Sequence, residues 1–149
     1  MDPIHPSSIE PNKRPRLTPN PAMVFKNNKP FLILGTPGLD VQIQAMTQLF
    51  LNIIEFGMNP QEAIESPRFA SYSFPLTSMI NNYEPGVLSC ENDIKENVIN
   101  NLSNLGHKIK LWDQKSYLAG GLCAIQINND LKTLTAGADP RRDAYAIGR

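Results

Sequence analysis

The segment KPFLILGTPGLDVQIQAMTQLFLNIIEFG, residues 29–57, constrains the fold more than any other part of this chain. Phe31 to Leu34 form a short apolar run with strand character, and Gly35-Thr36-Pro37-Gly38 interrupts it. Beyond the break, Ile43, Met46, Phe50 and Ile53 or Ile54 recur at steps of three and four, with Val41 and Leu49 alongside. That spacing predicts a helix buried on much of its circumference. Asp40 stands near its start, where a carboxylate suits exposed amides, and Gly57 ends it. A strand that turns tightly into so apolar a helix has to fold as layers.

The flanking segments fill in those layers. Six prolines within residues 1–22 forbid helix and remove sheet donors, so this part reads as an extended lead-in, with residues 23–149 as the folded segment. Met23–Phe25 and Phe31–Leu34 read as a hairpin, with Asn27-Asn28 able to take positive φ in its turn. Asn59 caps a short helix, PQEAIES, whose proline occupies the first turn and which Pro67 stops. A polar, aromatic loop (Phe69, Tyr72, Phe74) leads to the strand GVLSCE. An amphipathic helix follows, with Ile94, Val98, Leu102 and Leu105 on one stripe and Gly106 at its end. KIKLWD, LCAIQI and TLTAGAD read as three further strands, the last two joined at Asn128-Asn129-Asp130. The predicted order is β-β-α-α-β-α-β-β-β, an α+β domain with a mainly antiparallel sheet.

Composition narrows the chemistry. Hydrophobic residues make up 41% and charged residues 19%, which supports a packed globular core. Fourteen basic residues balance fourteen acidic ones, so nothing global favours nucleic acid or an anionic membrane surface. The apolar runs are too short to span a bilayer, and the first residues lack a secretory h-region; the cytoplasm is the expected location. Cys90 and Cys123 have no CxxC spacing or histidine company, so neither zinc nor a disulfide framework is expected, and no cofactor is implied.

Two loops could face an anion. GTPGLD is either a plain strand-to-helix turn or one that presents free amides to an anion or a developing oxyanion. KRPRLTPNP, residues 13–21, is either a solvated basic linker or a stiff loop offering cations and the Thr18 hydroxyl to a carboxylate. KRPR alone would also suit nuclear import, but no basic surplus elsewhere supports nucleic acid. DPRRD, residues 139–143, reads as a turn stapled by local ion pairs. His5 and His107 fall in the lead-in and in a turn, and no serine, histidine and acid set has a credible spacing.

Together, KRPRLTPNP, FLILGTPG, NIIEFGMNPQEAIESPRF and LTAGADPRRDAYAIG resemble the carboxy-terminal part of the gamma-glutamyltransferase (gamma-glutamyltranspeptidase) family, in the family's order and spacing. The resemblance implies part of a four-layer αββα sandwich of the amino-terminal nucleophile hydrolase type. It further implies a self-cleaving precursor whose small subunit begins with a nucleophilic threonine. That threonine takes the acyl group of a γ-glutamyl amide such as glutathione and passes it to water or an amine.

Carried over residue by residue, the substrate-facing candidates are Arg14, Leu17, Thr18, Gly38 and Leu39. The family's serine pair, which bonds the glutamyl carboxylate, falls on Leu17 and Thr18, so at most Thr18 and backbone amides serve that contact. Its Gly-Gly oxyanion pair falls on Gly38 and Leu39, where backbone N–H groups do the holding. Both departures point away from ordinary glutathione specificity and toward another acyl group or an acylase-like activity. Twelve residues precede Lys13 and none is a threonine. The expectation is therefore a chain without its own nucleophile, inactive alone, partnered by a complementary large subunit and the amino-terminal part of the small subunit. Alone, it is expected to expose strand edges and the apolar face of the 40–56 helix. The alternative is a non-catalytic binding or assembly module, or a truncated gene product, of the same fold.

Overall fold

A computed structural model describes residues 4–6, 8–14, 17–76 and 83–148. In chain order the elements are β1 (Ala22–Lys26), β2 (Lys29–Gly35), α1 (Val41–Ile54), α2 (Pro60–Glu65), β3 (Phe69–Ser71), β4 (Val87–Glu91), α3 (Glu96–Asn104), β5 (Lys108–Trp112), β6 (Cys123–Asn128) and β7 (Thr133–Ala138), with one 3₁₀ turn at Tyr117–Ala119. Two sheets result. One is antiparallel throughout in the order β1-β2-β6-β7; the other runs β3-β4-β5, with β4 and β5 parallel. Among the described residues before Ala22 there is neither helix nor strand.

The β1–β2 hairpin closes as its sequence requires: Asn27 and Asn28 take φ of 52° and 60°, and asparagine tolerates that region better than most residues. Leu32 and Leu34 of β2 and Ala124 of β6 turn one sheet face inward, and Val41, Ala45, Met46, Leu49 and Ile53 of α1 pack on it together with Ile64 of α2. This narrows the expected burial of α1. Ile43 is 69% exposed, and Leu51 and Ile54 also reach solvent. A helix lying on a single sheet face needs only one apolar stripe.

The packing also relocates the expected apolar exposure. The inward face of α1 is buried within the chain itself. Besides Ile43, Leu51 and Ile54 on the outer side of α1, open apolar residues form a cross-strand row, Met23, Ile33, Ile125 and Ala136, on the sheet face opposite the helices. Tyr145, Ala146 and Ile147 line a hollow on that side with Ile33 and Ile125.

Residues expected in a loop form β3, whose free edge is closed by helix side chains rather than by a strand. The Gln48 amide donates to Phe69 O (2.9 Å) and accepts from Phe69 N (3.1 Å); Gln44, one turn earlier, does the same for Ser71 at 3.0 and 2.8 Å. Gln61 of α2 pairs likewise with both backbone groups of Ala138 at 3.0 Å. The short α2 is held by a full capping box between Asn59 and Glu62.

α3 is shorter than the apolar stripe suggested. Ile94 belongs to a turn that bonds back to Glu91, Leu105 is 78% exposed, and no residue of α3 is buried. No helix among the described residues is long and apolar enough to cross a membrane.

Candidate functional site: the turn between β2 and α1

The chain leaves β2 at Gly35 and enters α1 at Val41 through a turn that L-residues resist. Gly38 has φ of +140° and Leu39 φ of +52°. Glycine removes the steric cost at the first position, whereas Leu39 carries its Cβ into the left-handed region at about 1–2 kcal/mol. The carbonyls of Gly38 and Leu39 accept the first bonds of the helix, from Val41 N (3.1 Å) and Gln42 N (3.2 Å). Their own N–H groups donate to no acceptor among the described residues. Gly38 is half-buried and Leu39 half-exposed, so these amides are not sealed in hydrocarbon. The amino-terminal end of α1 adds the positive end of its dipole.

A second backbone braces the turn from behind. Thr36 Oγ1 donates to Pro37 O (2.7 Å) and accepts from Gly121 N (2.8 Å). Gly120, with φ of +91°, lies so close that a Cβ there would sit 2.9 Å from Thr36 Oγ1 and 3.3 Å from Pro37 O. Only glycine permits that approach.

Four buried charged side chains fix the bracing segment in turn. Asp139 Oδ2 accepts from Leu122 N (2.7 Å) and pairs with Arg68, whose Nη1 donates to Ala119 O (2.9 Å). Asp139 Oδ1 accepts from Arg141 N and Nη1, both at 3.1 Å. Arg141 pairs with Glu91 through Nε and Nη2 and donates to Ile64 O and Ser66 O. Glu91 also accepts from Arg68 N and Ser116 N, each at 2.8 Å. Two cations answer two anions, each ion meeting at least two partners, although Arg68 Nε is buried with no partner among the described residues; such pairing is the condition under which buried ions are tolerated. Burial lowers the pKa of Arg68 from its ordinary value, with Asp139 opposing. For Arg141 burial acts in the same sense, but Glu91 and then Asp139 outweigh it and hold its pKa above the ordinary value.

The expected local staple in DPRRD is present as the Asp139–Arg141 pair. Its partners Arg68 and Glu91 were not anticipated. They lie 71 and 50 residues away from Asp139 and Arg141 respectively, and no spacing rule reaches that far.

In front of the turn is a cavity of about 350 Å³, lined by Gly38, Leu39, Tyr72, Leu118 and Arg142 among others. Arg14, Leu17 and Thr18 do not line it; all three are exposed, and Pro15 and Arg16 of their loop lie outside the described residues. A larger hollow of about 540 Å³ opens at the far end of the sheet around Lys26, Lys29 and Asn129. It borders neither the turn nor the ion cluster, and the chemistry favours the smaller cavity. Among the described residues no group of histidine, cysteine and carboxylate side chains could hold a metal ion, and both cysteines are free thiols. The turn thus carries two backbone N–H groups without acceptors among the described residues, beside this cavity and braced by backbone and ion-pair contacts.

Known proteins share this fold. The family model for gamma-glutamyltranspeptidase matches residues 1–149. The chain is 33% identical over 148 residues to the glutathione hydrolase-like YwrD proenzyme of Bacillus subtilis, covering 99% of this chain and 27% of that protein. It superposes on the gamma-glutamyltranspeptidase T380A mutant of Helicobacter pylori with a TM-score of 0.72 and 32% identity, covering 90% of this chain and 66% of that one. The cephalosporin acylase of Bacillus halodurans gives a TM-score of 0.75 at 28% identity, covering 99% of this chain and 26% of that one. The chain spans about a quarter of the length of the curated relative it matches. The α+β architecture is that of the amino-terminal nucleophile hydrolases. With its whole length matched by the family model, this chain belongs to the gamma-glutamyltranspeptidase family.

Proposed function

We propose that this chain supplies the oxyanion turn of an enzyme that transfers or hydrolyses γ-glutamyl or related acyl groups, with the nucleophilic threonine provided by a segment outside these residues. The supporting observation is the pair of N–H groups at Gly38 and Leu39, without acceptors among the described residues, beside a cavity of about 350 Å³. In the proposed cycle the threonine hydroxyl attacks the amide carbonyl carbon and its proton passes to the threonine's own amine. The carbonyl oxygen takes the negative charge between the two amides. As the tetrahedral species collapses, the C–N bond breaks and the departing amine carries off the proton; water or an acceptor amine then cleaves the ester. Each oxyanion donor contributes about 2.7–4 kcal/mol to such a step.

Leu39 suits this role because its contribution is a backbone amide. Leu17 is 72% exposed and has no hydroxyl, and neither Arg14 nor Thr18 lines the cavity, which favours a wider acyl range than glutathione alone. The partner is the complementary large subunit together with the amino-terminal part of the small subunit. The open sheet row Met23, Ile33, Ile125 and Ala136 suits a second sheet from that complement.

The test is release of p-nitroaniline from γ-glutamyl-p-nitroanilide. The purified chain should release none, and mixing with a threonine-bearing complement should restore release. Turnover by the chain alone would overturn the proposal, and saturable assembly without any turnover would favour a binding module.

A further inference from the structure

The cavity before the turn contains a cation that the oxyanion chemistry leaves unused. Arg142 lays its guanidinium over the Tyr117 ring, 3.1 Å from carbon to centroid, and donates from Nη2 to Tyr117 O at 3.2 Å. Stacking on an aromatic face holds a planar cation in one orientation. Gly121 makes room for the arrangement, since a Cβ there would collide with Arg142 Cγ. Arg142 enters no ion pair among the described residues, Nη1 has no acceptor there, and Nε is buried without a partner. Its neighbour Arg141 is fully engaged by Glu91, Asp139 and the carbonyls of Ile64 and Ser66, so the two adjacent arginines differ sharply in availability.

The surroundings set the rest of the ligand. Leu39, Leu118 and Pro37 give an apolar wall, and the Tyr72 and Tyr117 rings line the same space. Tyr72 stays a neutral phenol at ordinary pH, because burial and then the charges of Glu84 and Asp40 raise its pKa. Asp40 is the other charged liner, and no ion pair joins it to Arg142. A cavity of about 350 Å³ accommodates a small aromatic acid.

We propose that Arg142 is a specificity-determining residue, and that this cavity takes a ligand with an apolar or aromatic body and a carboxylate that meets the guanidinium. The inference rests on the reading of the adjacent turn as the acyl site and narrows it to a class of acid. A carboxylate can meet Nη1 without displacing the bond to Tyr117 O.

The test is titration of the 149-residue chain with 3-phenylpropanoate, 3-phenylpropanamide and 3-phenylpropylamine, followed by calorimetry or ligand-observed NMR. The acid should bind at least about tenfold tighter than the neutral amide, as a charge-assisted hydrogen bond allows, and tighter than the amine. Arg142→Gln should remove that preference, Arg142→Lys should keep part of it, and neither should move the urea midpoint appreciably. If Arg142→Gln does not fold, the parent chain still decides: 1 M salt should erase the preference for the acid. Equal affinities, stronger binding of the amine, or a preference indifferent to both substitution and salt would overturn the assignment. None of those outcomes touches the p-nitroaniline test, so the two proposals fail separately.

Discussion

Asp139→Asn is the substitution to which the structure assigns the largest cost. Asp139 is fully buried, and both carboxylate oxygens are engaged by N–H donors: Leu122 N and Arg68 on Oδ2, Arg141 N and Nη1 on Oδ1. Whichever way an asparagine is turned, its NH₂ group faces a donor, and the cluster is left with two cations and one anion. Breaking a buried pair from one side costs about 3–5 kcal/mol. With a urea m-value of about 2 kcal/mol/M, the unfolding midpoint should fall by roughly 1.5–2.5 M. Adding Arg68→Met to Asp139→Asn should recover part of the loss, because the uncompensated cation is gone, and the non-additivity measures the coupling. A midpoint within about 0.3 M of the parent, well inside the shift expected for a buried pair, would refute the claim that this carboxylate anchors the bracing segment.

Four further outcomes follow from the structure. Gly120→Ala should lower Tm by roughly 5 °C, since φ of +91° and the contact with Thr36 Oγ1 together cost about 2 kcal/mol or more; calorimetry reads this. Asn59→Ala should cost about 1 kcal/mol through loss of the capping box, measured by urea denaturation. A thiol reagent should label exposed Cys123 promptly and Cys90 only on unfolding, because burial hides Cys90 and raises its pKa. The pH dependence has a definite sign: folding disfavours the thiolate of Cys90, so stability is full below the ordinary thiol pKa of about 8.5 and falls as pH rises through the elevated value. Cys90→Ala should flatten that alkaline loss.

What could be read from residue order was whatever short-range rules govern. Asn27-Asn28 specified a hairpin turn, Asn59-Pro60 specified a helix start, and the glycines of GTPG specified a turn with awkward dihedrals; all three are observed. Periodicity overstated α1 and α3 because it counts apolar residues without knowing how many faces are covered. β3 escaped because its edge is satisfied by Gln44 and Gln48, side chains from a helix more than twenty residues earlier, and no alternation marks it. Arg68, Glu91, Asp139 and Arg141 find one another across separations that only the tertiary fold brings together. The positions of Gly38 and Leu39 were legible; the availability of their amides and the stacking of Arg142 on Tyr117 required coordinates.

The glutamine amides along β3 have a consequence for how a companion polypeptide can attach. By occupying the backbone groups of Phe69 and Ser71, Gln44 and Gln48 work as a hem on that margin, and an incoming extended segment finds no row of free donors and acceptors to zip onto. Growth of this small sheet is thereby steered to the opposite border, beyond β5, where Lys108 and Lys110 line the rim. A helix has become the terminator of a sheet, so swapping either glutamine for an aliphatic residue would reopen a seam now stitched shut.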